Sequence, residues 1–402
     1  MRKRGNLSET EQMTNFVAMK MSHRLIVLLS VALLCACEKD DPVTTYTPPT
    51  PTEPTVPTDP TPTAVDKWGL KELAKACGLM IGAEFTYGEY QDAQLKEVLK
   101  RDFEAVTFGN EMKHDQIVNA AGALNFSRAD QMAGWVRDCD AKLFGHTLGW
   151  HSQQQSDYLQ KLIDNAFDAN AAAAAIREAH AQYVDKMVGH FDVYAWDVVN
   201  EVMGDDGKWR SSYNTQANYH VFIWGNYYDG GTKAFADSAF RHAQEALARY
   251  GKTADLYIND YNLEWNPAKL EAVCAYAEGN PDVTGVGSQM HCNTDLSKDA
   301  IKNMLTRMVK TGKKVRISEL DVPQGSIPTN TQADLIVTLF DLYLQIVPEA
   351  QRGGITFWGV SDKHSWLGSD KKPLLFNSSY GHKDSYLALH AFLLEKSGLD
   401  KN

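Results

Sequence analysis

The chain has 402 residues, 44% apolar and 23% charged, with a formal net charge of −11. That supplies a sizeable core for one large domain or a few ordinary ones. No block of Lys and Arg stands out, which excludes a nucleic-acid binder that relies on a basic footprint. The six cysteines (Cys35, Cys37, Cys77, Cys139, Cys274 and Cys292) form no CxxC pair, and only His291-Cys292 sets a Cys beside a His. No metal site is expected from them. The usual burial of cysteine favours free thiols, with a disulfide as the alternative in an exported protein.

From Met21 the chain reads MSHRLIVLLSVALLCAC. Lys20 and Arg24 precede an apolar run, Leu25 to Ala36, that is too short to span a bilayer and ends in small residues. This is the pattern of a secretory signal, with Met19 or Met21 as the better start. Leu34-Cys35-Ala36-Cys37 resembles a bacterial lipobox. The resemblance implies lipidation of Cys37 and assigns residues 1–37 to a signal segment. Glu38-Lys39-Asp40-Asp41 resembles the acidic tag of some Gram-negative surface lipoproteins. The expected location is the outer membrane, reached through the lipid anchor alone, with the choice of surface or periplasmic face left open. Residues 38–65 are read as a disordered linker whose Thr/Pro-rich part, 42–65, is an extended stalk, because repeated proline removes backbone donors and favours polyproline conformation.

From Trp68 onward no further linker occurs, and residues 66–398 are read as one domain without an added binding module. The predicted strands are Leu79–Ala83, Ala105–Phe108, Lys142–Thr147, Val193–Val199, Asp255–Asn259, Gly285–His291, Lys314–Glu319 and Gly354–Trp358. Amphipathic or Ala-rich stretches lie between them: Ala171–Val188, Thr232–Tyr250, Pro267–Glu278, Lys298–Lys310 and Thr331–Ile346. Repeated strand-then-helix units predict an α/β fold, the (β/α)₈ TIM barrel. A doubly wound sheet is the alternative, but no Gly-rich phosphate loop follows the first strand.

Polar residues cluster where these strands end: His146-Thr147, Asn200-Glu201, Asn259-Asp260, Gln289 with His291, Glu319 with Asp321, and Trp358 with Asp362. Strand ends border polar loops in any fold. That does not explain two glutamates, Glu201 and Glu319, each after a β-branched apolar run, closing the fourth and seventh strands. A barrel carries its active site at this end of its strands. Paired carboxylates there suit glycosidic-bond cleavage, which needs one acid to protonate the leaving oxygen and a second group to attack the sugar or activate water.

Trp196-Asp197-Val198-Val199-Asn200-Glu201 and Ile317-Ser318-Glu319-Leu320-Asp321 resemble the acid/base and nucleophile motifs of glycoside hydrolase family 10, the retaining endo-β-1,4-xylanases. The resemblance spans nearly all of residues 68–396. It implies that Glu201 is the acid/base and Glu319 the nucleophile. It also implies that Asn200 binds the 2-hydroxyl of the attacked sugar, and that His291 contacts the nucleophile and is oriented by Asp321, with Gln289 in the same subsite. Asn110-Glu111-Met112-Lys113 resembles the glycone-side motif, with Asn110 and Lys113 on sugar hydroxyls. The run from Gly145 to Gln153 resembles the third-strand motif, with His146, Trp150 and Gln153 facing the ligand. The run from Phe357 to Trp366 resembles the eighth-strand motif, with Trp358 and Trp366 as an aromatic cage. Xylan and xylo-oligosaccharides are the implied ligands of a monomeric enzyme without cofactor or metal.

The chain departs from the family at several positions. Gly109 stands where the family has a Glu that contacts sugar further along the glycone side. His114 and His364 replace other residues, and Gln154-Gln155-Ser156 replaces a Leu-Pro-x-Trp run. The aromatics Trp209, Tyr213, Tyr219, Phe222, Trp224, Tyr227 and Tyr228 between Met203 and Gly231 either build aglycone subsites or pack the loop onto the barrel. A β-glucanase with the same carboxylate placement is the nearest rival. A non-catalytic sugar-binding surface lipoprotein is a rival of another class, and it would normally lack one of the two glutamates.

Overall fold

The structure is a computed structural model and describes residues 64–211 and 221–401. The signal segment with Cys37, linker residues 38–63, and Tyr213 and Tyr219 lie outside the described residues; the last two linker residues, Ala64 and Val65, instead open a short helix that runs to Lys67. Eight parallel strands close a barrel in sequence order: β1 Ile81–Phe85, β2 Ala105–Phe108, β3 Lys142–His146, β4 Ala195–Asn200, β5 Asp255–Asp260, β6 Gly285–Ser288, β7 Lys314–Leu320 and β8 Arg352–Phe357. Nearly every strand residue is buried, as expected where helices cover the outer face and side chains fill the inner one.

The principal helices following the successive strands are α1 Ala93–Asp102, α2 Ser127–Asp138, α3 Ala169–His190, α4 Gly231–Tyr250, α5 Pro267–Gly279, α6 Lys298–Lys310, α7 Thr329–Ile346 and α8 Asp384–Ser397. Their ends are written in the sequence. Asp92, Asp168, Asn266 and Ser297 each accept a backbone N–H of the first turn, at 2.8, 2.8, 3.1 and 3.1 Å, which satisfies donors the helix itself leaves open. Pro267 follows Asn266 at the first helical position, where its missing N–H costs nothing.

Inside the barrel, the Arg316 guanidinium lies 3.3 Å over the Phe144 ring. It donates to Tyr194 Oη, Thr107 Oγ1 and Thr356 Oγ1 at 2.9, 3.2 and 2.9 Å. This plug fills the interior beneath the mouth with a charge held by hydrogen bonds and a ring face.

Strand boundaries differ from expectation in instructive ways. β1 runs two residues later than predicted, because Ile81–Phe85 pairs with both β2 and β8. β6 stops at Ser288 rather than His291, because Met290 takes a φ of 60° and turns the chain. Of the barrel pairs, β4–β5 and β7–β8 slip in register. Asp197 and Val199 of β4 face the consecutive Tyr257 and Ile258. Ile317 and Leu320 of β7 face Ile355 and Phe357. Each of these strands carries an extra residue just where the two glutamates are presented, and a bulge of this kind re-aims the side chains beside it.

Candidate active site

Glu201 follows β4 directly in the left-handed region, with φ 56°, a conformation that costs a non-glycine residue about 1–2 kcal/mol. Its backbone is pinned on both sides. The Glu201 N–H donates to the Asn259 carbonyl at 2.9 Å, and Arg210 Nε donates to the Glu201 carbonyl at 2.8 Å. The next turn is anchored by Asp260, which accepts the Met203 N–H at 3.1 Å and pairs with Lys269 Nζ at 2.8 Å. Asp260 and Lys269 are fully buried; burial pushes Asp260 up to about 6, against the pull of Lys269.

Glu319 lies in the β7 bulge, its N–H on the Gln289 carbonyl at 2.9 Å. Its carboxylate is held on both oxygens. Asn259 Nδ2 donates to Oε1 at 2.9 Å, and His291 Nε2 sits 3.4 Å from Oε2. Behind the imidazole, Asp321 Oδ2 meets His291 Nδ1 at 2.8 Å and also accepts the Trp366 indole N–H at 2.8 Å. Burial opposes protonation of His291, but Asp321 and Glu319 outweigh it and lift the imidazole to about 10.

The two glutamates belong to one hydrogen-bonded chain. Asn259 Nδ2 also donates to Asn200 Oδ1 at 3.0 Å, and Ser318 Oγ donates to Asn259 Oδ1 at 2.7 Å; the acceptor-only Glu319 carboxylate fixes which way this amide points. Gln289 Nε2 donates to Asn200 Oδ1 at 3.3 Å and to Glu201 Oε1 at 3.0 Å. With its oxygen occupied twice, Asn200 turns its Nδ2 toward Glu201 Oε1, 3.4 Å away. His151 Nε2 lies 3.7 Å from Glu201 Oε2, and burial pushes this imidazole down to about 3.

A second group forms on β2 and β3. Lys113 Nζ, Asn110 Oδ1 and the Gln153 amide make a triangle with sides of 3.3, 2.7 and 3.1 Å. Lys113 Nζ lies 4.9 Å from the Trp150 ring centre, and burial lowers its pKa. His146 Nδ1 meets Asp197 Oδ2 at 2.8 Å, and burial drives this imidazole toward its neutral form, down to about 4. Trp358 links the groups, with its ring edge-on to His146 at 5.5 Å and to His291 at 6.4 Å. Trp366 is 60% exposed and packs on His291 at 5.0 Å. The residues nominated within the barrel are therefore brought to one mouth.

Two contributors escaped sequence reading. Asn259 was visible as a polar strand end but gave no sign that it would touch both halves of the site. Arg210 comes from a loop and carried no signal. The open question about the aromatic loop resolves for its described members. Trp224 is buried, stacks on Phe235 at 5.9 Å and donates its N–H to the Trp150 carbonyl at 2.9 Å. Phe222 stacks on Tyr227, Tyr228 meets Phe235 edge-on, and Trp209 meets Tyr276 edge-on. These rings pack the loop onto the barrel. His114 is likewise structural: buried, it accepts the Gln155 N–H at 3.0 Å and lies edge-on to Tyr183.

A parallel barrel that sets two glutamates at its mouth, one pinned by an amide and a histidine–aspartate pair and the other beside amides and a histidine, has the parts of a two-carboxylate glycoside hydrolase. The chain belongs to glycosyl hydrolase family 10, whose model matches residues 69–392. It is 31% identical over 328 residues to endo-1,4-beta-xylanase A of Cellvibrio japonicus, covering 72% of this chain and 50% of that protein. It is 30% identical over 313 residues to exoglucanase XynX of Acetivibrio thermocellus, covering 73% of this chain and 26% of that one. The chain thus spans a quarter to one half of the length of these relatives. The crystal structure of native xylanase 10B from Thermotoga maritima matches with a TM-score of 0.69 and 28% identity, over 82% of this chain and 99% of that one.

Proposed function

We propose that this protein is a retaining endo-β-1,4-xylanase that cuts internal bonds of xylan through a covalent glycosyl-enzyme intermediate. The observation that carries the reading is the shared network in which Asn259 and Asn200 join Glu319 to Glu201, with His291 and Asp321 behind Glu319. In the first half-reaction the Glu319 carboxylate attacks the anomeric carbon while Glu201 gives its proton to the departing glycosidic oxygen. In the second, Glu201 takes a proton from water, the resulting hydroxide displaces Glu319, and both groups return to their starting states. Asn200, with its amide orientation fixed, is set to hold the 2-hydroxyl of the attacked sugar. Asn110, Lys113, Gln153, His146, Gln289, Trp150, Trp358 and Trp366 supply the surrounding hydroxyl and ring-face contacts. Indoles suit a pyranose because its face is apolar.

One relative is named an exoglucanase, so the test compares glucuronoxylan, arabinoxylan and carboxymethylcellulose as substrates. The expected outcome is short xylo-oligosaccharides released from internal cuts, with the β-anomer as first product by NMR. Preferential release of cello-oligosaccharides, or an α-anomer first, overturns the reading.

The same proposal includes the address. A chain exported and held at the outer membrane by diacylated Cys37 is supported by Leu34–Cys37 and the Thr/Pro tract behind it. Two acyl chains, at ~0.8 kcal/mol per buried methylene, anchor stably, and a fully extended stalk reaches about 70 Å at ~3.1 Å per residue. Cys37→Ser should move the enzyme from the membrane fraction to the soluble one with turnover unchanged; wild-type protein found soluble refutes the anchor alone.

A further inference from the structure

At the mouth end of β1 stands a carboxylate that the mechanism above does not use. Phe85 points outward, its ring edge-on to Trp135 of α2 at 5.3 Å, so strand alternation turns Glu84 inward, toward the barrel mouth. Glu84 is only 8% exposed, and among the described residues no hydrogen-bond donor reaches its carboxylate. The acids around it are served. Glu89 accepts from the Thr86 N–H and Oγ1 at 3.0 and 3.2 Å, and Glu111 accepts from the N–H groups of Tyr87 and Asn110 at 2.7 and 3.3 Å. Burial, reinforced by the charges of Glu89 and Glu111, raises the Glu84 pKa well above the usual carboxylate range. The side chain keeps a small exposed surface at the mouth, where it meets no donor from the described residues. Its presence points to a ligand that completes it.

Gly109 is what makes room. A Cβ on Gly109 would overlap Glu84 Oε1 and come within 2.9 Å of Glu84 Cδ. The carboxylate thus fills the space over β2 from which a side chain at 109 would start, directly before Asn110. Lys113 responds to the charge of Glu319 ahead of that of Glu84, and Glu84 responds to Lys113 ahead of Glu319. Lys113 is thus within electrostatic reach of both carboxylates.

We propose that Glu84 is a specificity-determining residue: together with Lys113 and Asn110 it hydrogen-bonds hydroxyls of the sugar one ring removed from the bond being cut, replacing in space a side chain absent at position 109. This rests on the xylan-cleaving reading of the cleft. A carboxylic acid offers an O–H donor and an acceptor, and a carboxylate two acceptor oxygens; either set matches a pair of adjacent sugar hydroxyls.

The test compares an aryl β-xylobioside, which places a second ring beside Glu84, with the aryl β-xyloside of the same leaving group, which does not. Glu84→Met keeps the volume and removes the polar atoms. It should lower kcat/KM on the bioside by about tenfold, the loss expected for a hydrogen bond to such a group, and leave the monoside within about threefold. Glu84→Gln, still a donor and acceptor, should retain most of the bioside preference. The double variant Glu84→Ala/Gly109→Glu, which returns a carboxylate to the same space from β2, should restore it. An unchanged ratio of the two substrates in Glu84→Met, or an equal loss on both, overturns the inference while leaving the xylanase reading intact. Failure of the wild-type protein to cleave the bioside overturns both.

Discussion

Each glutamate has a histidine against it, and the two histidines are in opposite states. His151, beside Glu201, is held neutral by burial, with Arg210 and Lys269 adding to the same effect and its pKa down at about 3. His291, beside Glu319, is burdened by burial too, but Asp321 and Glu319 bring it up to about 10, so it is an imidazolium at neutral pH. Glu319 is 5% exposed and gripped on both oxygens, whereas Glu201 meets amides and a neutral ring through Gln289, Asn200 and His151. The contrast matches the demands of the proposed reaction. A nucleophile must stay charged and aimed, while an acid/base must give up and recover a proton within one turnover.

The sharpest way to break this contrast is to remove the nucleophile. Glu319→Ala should cut turnover by on the order of 10⁴-fold or more on xylan and on activated aryl xylosides alike, as read from steady-state rates. Substantial activity on the activated substrate would remove Glu319 from its role.

Glu201→Ala should behave asymmetrically. Xylan hydrolysis should fall by about 10²–10⁴-fold, the usual contribution of general acid–base catalysis. An aryl xyloside with a good leaving group should still show rapid formation of the intermediate in a pre-steady-state burst. Equal losses in the first step on both substrates would erase the difference between the two glutamates.

The mildest of the three changes acts through the imidazole. Asp321→Asn takes away the charge that does most to raise His291. Removing one partner of a buried pair destabilises the fold by about 3 kcal/mol, and kcat/KM of the folded variant should also fall, by less than in Glu201→Ala on xylan. The pH profile adds a second readout. His291 has a folded-state value above its ordinary 6.5, so its ion pair is fully formed below that pH and is lost as pH rises through about 10. In Asp321→Asn the loss should begin at lower pH, moving the alkaline limb of activity toward neutrality. A limb that stays in place would show that His291 does not set it.

The sequence alone carried a good part of this. Alternating strand and helix segments predicted the barrel, because each period reflects which face an element must bury. Glu201 and Glu319 were legible because each ends an apolar β-branched run, and the helices that begin at Pro267 and Lys298 start where the predicted stretches do. What the sequence did not carry depends on distance across the barrel. Asn259 reads as one more polar strand end until closure brings its amide against both Asn200 and Glu319. The pairing of His291 with Asp321 was implied by the family resemblance, but the neutral state of His151 follows from burial beside Arg210 and Lys269, which no spacing along the chain encodes. Glu84 was hidden by a shift of two residues in β1: with the strand ending at Ala83 it reads as a loop carboxylate, and only the pairing of Ile81–Phe85 with its neighbours turns it into the mouth above Gly109. Local propensity and periodicity fix elements and the residues at their ends. Register and ring closure, which are settled by pairing between segments far apart in the chain, decide which of those residues meet.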